Sequence, residues 1–173
     1  GEGPEDFTQH CYAIASEMLV LGKRAKTRDE AMDRVKQTIT SGTGLEYLKK
    51  LVEAQHGDVR FIDDLTRFPE APEKMIVEAQ QSGFISEVHA RKVGEMAVAL
   101  GAGRAVKGES IDLAVGIMVQ VKVGEKVEPG QPLFIVHARD ESIMAQAQSR
   151  LADAVKIVSE KVDPLPLFYG LVE

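Results

Sequence analysis

The chain has 173 residues, 44% hydrophobic and 28% charged, with 21 basic against 27 acidic side chains and a net charge of −6. That composition is ordinary for a globular protein, holds no run near the roughly 20 apolar residues of a membrane span, and offers no broad attraction to phosphates or anionic lipid. Neither nucleic acid nor a membrane is an expected partner, and an aromatic content of 5% without tryptophan leaves few platforms for stacking bases. The one cysteine, Cys11, permits no internal disulfide, and no charged-then-apolar leader is visible, so a cytoplasmic setting is the expectation. A start at "GEGPED" without an initiator methionine fits a segment of a longer polypeptide.

In chain order, the first third reads as helices. Pro4 suits a first helical turn, and Phe7, Cys11, Ile14, Ala15, Met18 and Leu19 recur at helical spacing until Gly22 supplies a stop. Thr27 with Glu30 makes a capping box ahead of a stripe of Ala31, Val35 and Ile39. Thr43 with Glu46 repeats that device before Tyr47, Leu48, Leu51 and Val52, with a stop at Gly57. From Asp58 to Lys74 the pattern dissolves into a connector containing two prolines. Beyond it "MIVEA", "GFISEV", "IDLAVGIMVQV" and "PLFIVHA" read as strands punctuated by Ser82-Gly83, Val123-Gly124 and Pro129-Gly130. A helix over about residues 91–100 interrupts them and closes at "GAGR". A long helix from an Asp140 cap, with Ile143, Ala147, Leu151, Ala154, Val155 and Val158 on one face, is expected next, and "LPLFYGLVE" as a last strand. The architecture is therefore α+β, a helical segment over residues 1–72 followed by a mixed segment over 73–173.

Candidate chemistry is sparse. The histidines His10, His56, His89 and His137 lie at no zinc-ligand spacing, so no metal site is indicated. His10 and Cys11 are helix neighbours pointing about 100 degrees apart, which describes a surface histidine beside a buried cysteine better than a base and nucleophile. Asp63-Asp64 and Asp140-Glu141 fit caps or solvated loops. "SGTG" is explained as a helix stop and cap. "GAGR" is more interesting, because Gly101 and Gly103 would let the backbone approach a ligand while Arg104 could fork around an anion; a helix C-terminal turn is the plainer reading.

The stretch "KVGEKVEPGQPLFIVHARDES" resembles half of a biotinyl or lipoyl domain. Gly124, Glu125, Val127, Gly130, Gln131 and Leu133 fill its G-[DE]-x-V-x-x-G-Q-x-L run. Such carriers need a lysine at the hairpin tip to form the amide with the prosthetic acid. Here the tip is "HARDES", and Lys122 and Lys126 precede the strand. A non-catalytic barrel-sandwich module is the alternative this leaves; the missing lysine argues against a carrier.

The order of "GEGPEDF", "EMLVLGKRAKTRDEA", "SGTGLEYLKKLVEAQHGD", "SGFISEVHARKVGEMAVALGAGR", "IDLAVGI" and "KVGEKVEPGQPLFIVHARDE" resembles the C-terminal part of the pyrimidine-nucleoside phosphorylase and thymidine phosphorylase family. The related archaeal nucleotide phosphorylases look alike in this region. The resemblance implies a larger α/β enzyme, with residues 1–72 in its large domain and 73–173 forming a barrel-sandwich-like α/β-hammerhead domain. It implies reversible phosphorolysis of thymidine or uridine to the base and a pentose 1-phosphate, a pentosyl transfer in nucleoside salvage. The family's phosphate loop, K-H-S-T-G-G-V-G-D, and its base-contacting residues match nothing here, so no catalytic or phosphate-binding residue is expected in the segment. Inorganic phosphate as co-substrate and a monovalent cation would be bound upstream; the implied partners are the preceding portion of the enzyme and a second subunit. Gly101, Gly103 and Arg104, with the loop to Ser110, are expected at the cleft mouth.

Overall fold

In a computed structural model the chain is described over residues 3–170 and at Val172. Contacts divide it into a helical unit, running to Arg67 and taking in the chain from Leu167 onward, and a sheet unit, Phe68–Pro166. The described elements mix helices with small antiparallel sheets, an α+β composition.

The helical unit is built from α1 (Glu5–Leu21), α2 (Arg28–Thr40) and α3 (Thr43–Ala54), followed by the short α4 (Arg60–Asp63) and a 3-10 turn at Leu65–Arg67. Pro4 stands just outside α1, and Glu5 and Asp6 place negative charge against the positive end of the helix dipole. The capping box at α2 forms with one displacement. Thr27 Oγ1 accepts from the Glu30 N–H at 3.2 Å, but Glu30 reaches back to the N–H of Lys26, at 2.8 Å, rather than to that of Thr27. That hydrogen bond holds the Glu30 carboxyl below its ordinary value.

The second expected box is not there. Thr43 is already helical, the cap is Gly42 in a left-handed conformation, and the Thr43 hydroxyl is 2.9 Å from that of Ser41. The expected inner face of α1 is also overturned: Phe7, Cys11, Ile14 and Met18 are exposed. What α1 turns to α2 is the side that carries Ser16. Ser16, buried, donates to the Tyr12 carbonyl at 2.7 Å and touches Met32, while Ala31 of α2 is fully buried. Small side chains let two helix backbones approach closely, but they bury little apolar area.

The sheet unit has a continuous core. β1 (Glu73–Glu78), β5 (Pro132–Ala138) and β3 (Gly116–Val119) form one antiparallel sheet in the order β1-β5-β3. β4 (Lys126–Val127), β2 (Gly83–Val88) and β6 (Val155–Val158) form the other, ordered β4-β2-β6. α5 (Ala90–Leu100) and α6 (Met144–Ala152) lie between these strands in sequence and share the core. Alternation decides which side chains enter it: Val77 of β1, Ile85 of β2, and Phe134 and Val136 of β5 are buried with Met96 and Leu151 of the helices.

Two expectations fail in this unit and at its end. The helix from Asp140 does not run through Val158: it stops at Ala152, and Val155–Val158 pairs with β2 through Val88↔Val155, Ile85↔Ile157 and Phe84↔Val158. Val155 and Val158 fit a helical spacing and Val155 and Ile157 a strand spacing, and cross-strand pairing settles the ambiguity. The tail expected as a strand has no strand over residues 165–170; Leu171 and Glu173 lie outside the described residues.

Candidate functional site

The Gly-rich turn predicted as a candidate is reached at the end of α5. Gly101 has φ +100°, its N–H donates to the Val98 carbonyl at 2.9 Å, and the Ala102 N–H donates to the Ala97 carbonyl at 3.0 Å. These are the paired bonds of a Schellman helix end, in which a left-handed residue is favoured to be glycine. The plainer reading of Gly101 is therefore correct. Gly103 is kept small by packing, since a Cβ there would lie 2.8 Å from Val98 Cγ2. Arg104 turns back into its own loop, its Nε donating to the Glu109 carbonyl at 2.9 Å.

Two acidic residues organise the rest of the loop. The Glu109 carboxylate accepts the N–H groups of Ala105 and Val106 at 2.9 and 3.0 Å. Asp112, from "IDLAVG", donates its own N–H to the Gly101 carbonyl at 2.9 Å and accepts the Ala114 N–H at 3.0 Å. Its carboxylate also takes a two-pronged hydrogen bond from Arg139, through Nε and through Nη2, the latter at 2.9 Å. Arg139 and the Ala114 N–H hold the Asp112 carboxyl below its ordinary value, while the pairing raises Arg139.

Arg139 lies in "HARDES", at the tip where a carrier would present its lysine. It is occupied instead by this clamp and by Asp140, which accepts from the Ser142 N–H at 2.9 Å to open the following turn. The carrier-like run serves the fold at each matching position. Gly124, at φ +94°, lies so near Pro164 that a Cβ would be 2.7 Å from its nitrogen. Glu125 Oε2 accepts from the Lys122 N–H at 3.0 Å, and Gln131 Oε1 accepts from the Glu128 N–H at 3.2 Å. Gly130 turns the chain with φ +83°, and Val127 and Leu133 are buried. Lys126 pairs with Glu128 at 2.7 Å.

Asp63, Asp64, His10 and His89 are also engaged in structure. Asp63 pairs with Lys49 at 2.7 Å, and Asp64 accepts from the Thr66 N–H at 3.1 Å. His10 stacks on Phe168 with ring centroids 5.3 Å apart, and Cys11 beside it is exposed, not buried as expected. His89 caps α5, its Nδ1 accepting from the Lys92 N–H at 3.4 Å. Among the described residues, no three His, Cys, Asp or Glu side chains converge as a metal site would need, and no helix is long and apolar enough to cross a membrane. Sequence reasoning missed Glu109, Asp112 and Arg139. The only available signal for the clamp was that "IDLAVG" and "HARDE" occur in one chain, because spacing gives no hint of a contact across 27 residues.

The loop and both clamp residues, Asp112 and Arg139, fall within a region shared with known proteins. Residues 84–158 match the model of the pyrimidine nucleoside phosphorylase C-terminal domain. The pyrimidine-nucleoside phosphorylase of Bacillus subtilis is 40% identical over 164 residues, covering 95% of this chain and 38% of the relative. That of Geobacillus stearothermophilus is 35% identical over 172 residues, covering 99% of this chain and 40% of the relative. That of Staphylococcus haemolyticus is 38% identical, covering 92% of this chain and 40% of the relative. The chain thus spans about two-fifths of the length of the curated relatives it matches. Along nearly its whole length it corresponds to their C-terminal part, and it belongs to the pyrimidine-nucleoside phosphorylase family.

Proposed function

We propose that the chain is the C-terminal portion of a cytoplasmic pyrimidine-nucleoside phosphorylase that reversibly converts uridine or thymidine and phosphate to the free base and a pentose 1-phosphate. The reaction needs donors for phosphate and a group that stabilises charge developing on the departing base. In this reading both belong to the preceding part of the enzyme, together with a monovalent-cation site, and the parent acts as a homodimer. The present segment supplies no catalytic residue and is inactive alone. Residues 1–72 complete the large domain, and 73–173 form an α/β-hammerhead domain with a barrel-sandwich-like sheet pair.

The observation that carries this reading is the match over 95% of the chain to a pyrimidine-nucleoside phosphorylase. Within the matched domain, the Asp112–Arg139 clamp ties "IDLAVG" to "HARDE" as one folded feature. Gly101, Gly103 and Arg104 then belong to a loop at the cleft mouth, ordered from within by Glu109 and from behind by Asp112, and helping hinge closure over substrate.

The test is an assay of uridine and thymidine with inorganic phosphate, following free base and pentose 1-phosphate. The 173-residue chain is compared with a fusion in which the leading part of the Bacillus subtilis relative precedes it. Phosphorolysis by the fusion alone is expected; turnover by the isolated chain, or none by a folded fusion, overturns the proposal. Arg104→Ala in the fusion is expected to raise KM and lower kcat together, and unchanged kinetics would remove the loop from closure.

A further inference from the structure

The helical unit has a covered face and an uncovered one on the same helix. Ser16, the buried residue of α1, faces α2. On the opposite side of the helix stand Phe7, Cys11, Ile14, Met18 and Leu21, separated alternately by four and three residues. That alternation is the a/d pattern of a helix that meets another helix side by side, and half a turn separates it from Ser16. The row is bare: Phe7 is 63% exposed, Ile14 45%, Met18 67% and Leu21 80%. Single exposed apolar residues are unremarkable on a surface, but a contiguous seam at this spacing marks a docking face.

Among the described residues, ion pairs such as Arg28–Glu17 and Lys49–Asp63 tie the unit together, but little apolar packing does. Its buried described side chains are Ser16, Ala25 and Ala31, and the contiguous apolar core lies wholly in the sheet unit. Helices of this length are marginal in water without tertiary packing. The relatives carry about three-fifths of their length outside the region matched here, so in them a large body of polypeptide accompanies these helices.

Building on the function proposed above, we propose that the Phe7–Leu21 seam of α1 is a docking face for an apolar helix in the preceding part of the parent enzyme, packed side by side on α1. The seam is a narrow a/d row running along α1, the width that one helix laid beside it covers. Cys11, within the row, makes the chain its own reporter.

The experiment measures maleimide labelling of Cys11 in the isolated chain and in the fusion to the leading part of the Bacillus subtilis relative, whose other cysteines are replaced by serine. Labelling is expected to be rapid in the isolated chain and slowed at least about tenfold in the fusion, as for a side chain reached only by local opening. Ile14→Glu and Met18→Glu should restore rapid labelling in the fusion. Because both positions are exposed in the isolated chain, its circular dichroism and melting with these changes should stay as they were, which separates lost docking from lost folding. Equal labelling in chain and fusion overturns the proposal. So does protection of Cys11 in an isolated chain that light scattering shows to be dimeric, since a second copy would then be the occupant. Phosphorolysis by a fusion with unprotected Cys11 would remove the docking face and leave the function standing; protection without phosphorolysis would do the reverse.

Discussion

The sheet unit buries Phe134, Ile85, Met96 and Leu151 completely, whereas the deepest side chains of the helical unit are two alanines and a serine. Burying one large apolar side chain contributes about 1.5–3 kcal/mol, so several such residues hold the sheet unit and almost none hold the helices. Regular secondary structure and a self-sufficient core are thus separate achievements. The helices have caps, ion pairs and dipole-matched ends, contributions of roughly a kcal/mol or less each, without the packing that makes them cooperative.

Deleting a phenyl ring from each unit should separate the two most widely. Phe134→Ala should cost about 3–5 kcal/mol, because a fully buried ring leaves a cavity as well as losing its transfer energy. Phe7→Ala, at an exposed position, should stay within about 0.5 kcal/mol in the isolated chain. Urea unfolding followed by amide exchange of each unit checks both. Similar costs would mean that the helices share in the core after all.

Next in size is Gly124→Ala. The new methyl group meets the Pro164 backbone, and the position has a positive φ, so a loss of about 1–3 kcal/mol is expected in the sheet unit. Gly42→Ala, left-handed at φ +77° but with open space around it, should cost less, about 1 kcal/mol. A melting series on the two variants separates crowding from backbone conformation.

Acid sharpens the contrast differently, since each unit holds an arginine-paired aspartate. Asp58, hydrogen-bonded by the side chain and backbone of Arg60, is lowered from 3.8 to about 2. Asp112 is lowered by Arg139 and the Ala114 N–H. A carboxyl lowered in the folded state contributes fully above its ordinary value and loses that contribution as pH falls through the lowered one. The Asp58 contribution should therefore fade between about pH 4 and pH 2, followed by the carboxyl carbon shift in NMR. For the clamp, Arg139→Ala should free the loop and speed tryptic cleavage after Arg104 and Lys107 at neutral pH, with little change in global melting. Unchanged cleavage would show that Glu109 alone orders it.

Much of this was legible in the residues. Apolar and β-branched runs bounded by turn residues locate β1, β2 and β5, and a glycine after Leu100 locates the end of α5, because local pattern and tertiary placement agree there. Legibility failed where a distant partner decides. "VKIV" satisfies both periods until β2 pairs with it, and Asp112 finds Arg139 across a span that no local rule covers. It fails again on α1, where helical spacing picks out Phe7, Cys11, Ile14 and Met18 as an apolar face that no described residue of the unit buries. The candidate loop was located by its glycines, but the carboxylates that order it were invisible, since an exposed Asp or Glu in a loop usually stays solvated.

The smallest expected effect concerns how the two units end their helices. α5 places Gly101 at the left-handed position of its Schellman turn, while α1 and α3 put Lys23, at φ 55°, and His56, at φ 60°, in the equivalent places. The bonding is the same: Arg24 donates to the Leu19 carbonyl at 2.8 Å and Gly57 to that of Val52 at 2.8 Å, each closing the outer ring of the motif. In "LGKR" and "QHGD" a glycine stands one residue before or after the place that needs it, so the stops predicted at Gly22 and Gly57 are right in region and displaced in position. A non-glycine residue there bears a steric cost of about 1–2 kcal/mol, partly returned because glycine would add entropy to the unfolded chain. Lys23→Gly and His56→Gly should each stabilise the helical unit by about 0.5–1 kcal/mol, and Gly101→Ala should destabilise the sheet unit by a similar amount. Both signs are needed. If the two glycine variants weaken the helices, Lys23 and His56 make contacts that outweigh their strain, and the helical unit is better fitted to its conformation than its bare seam suggests.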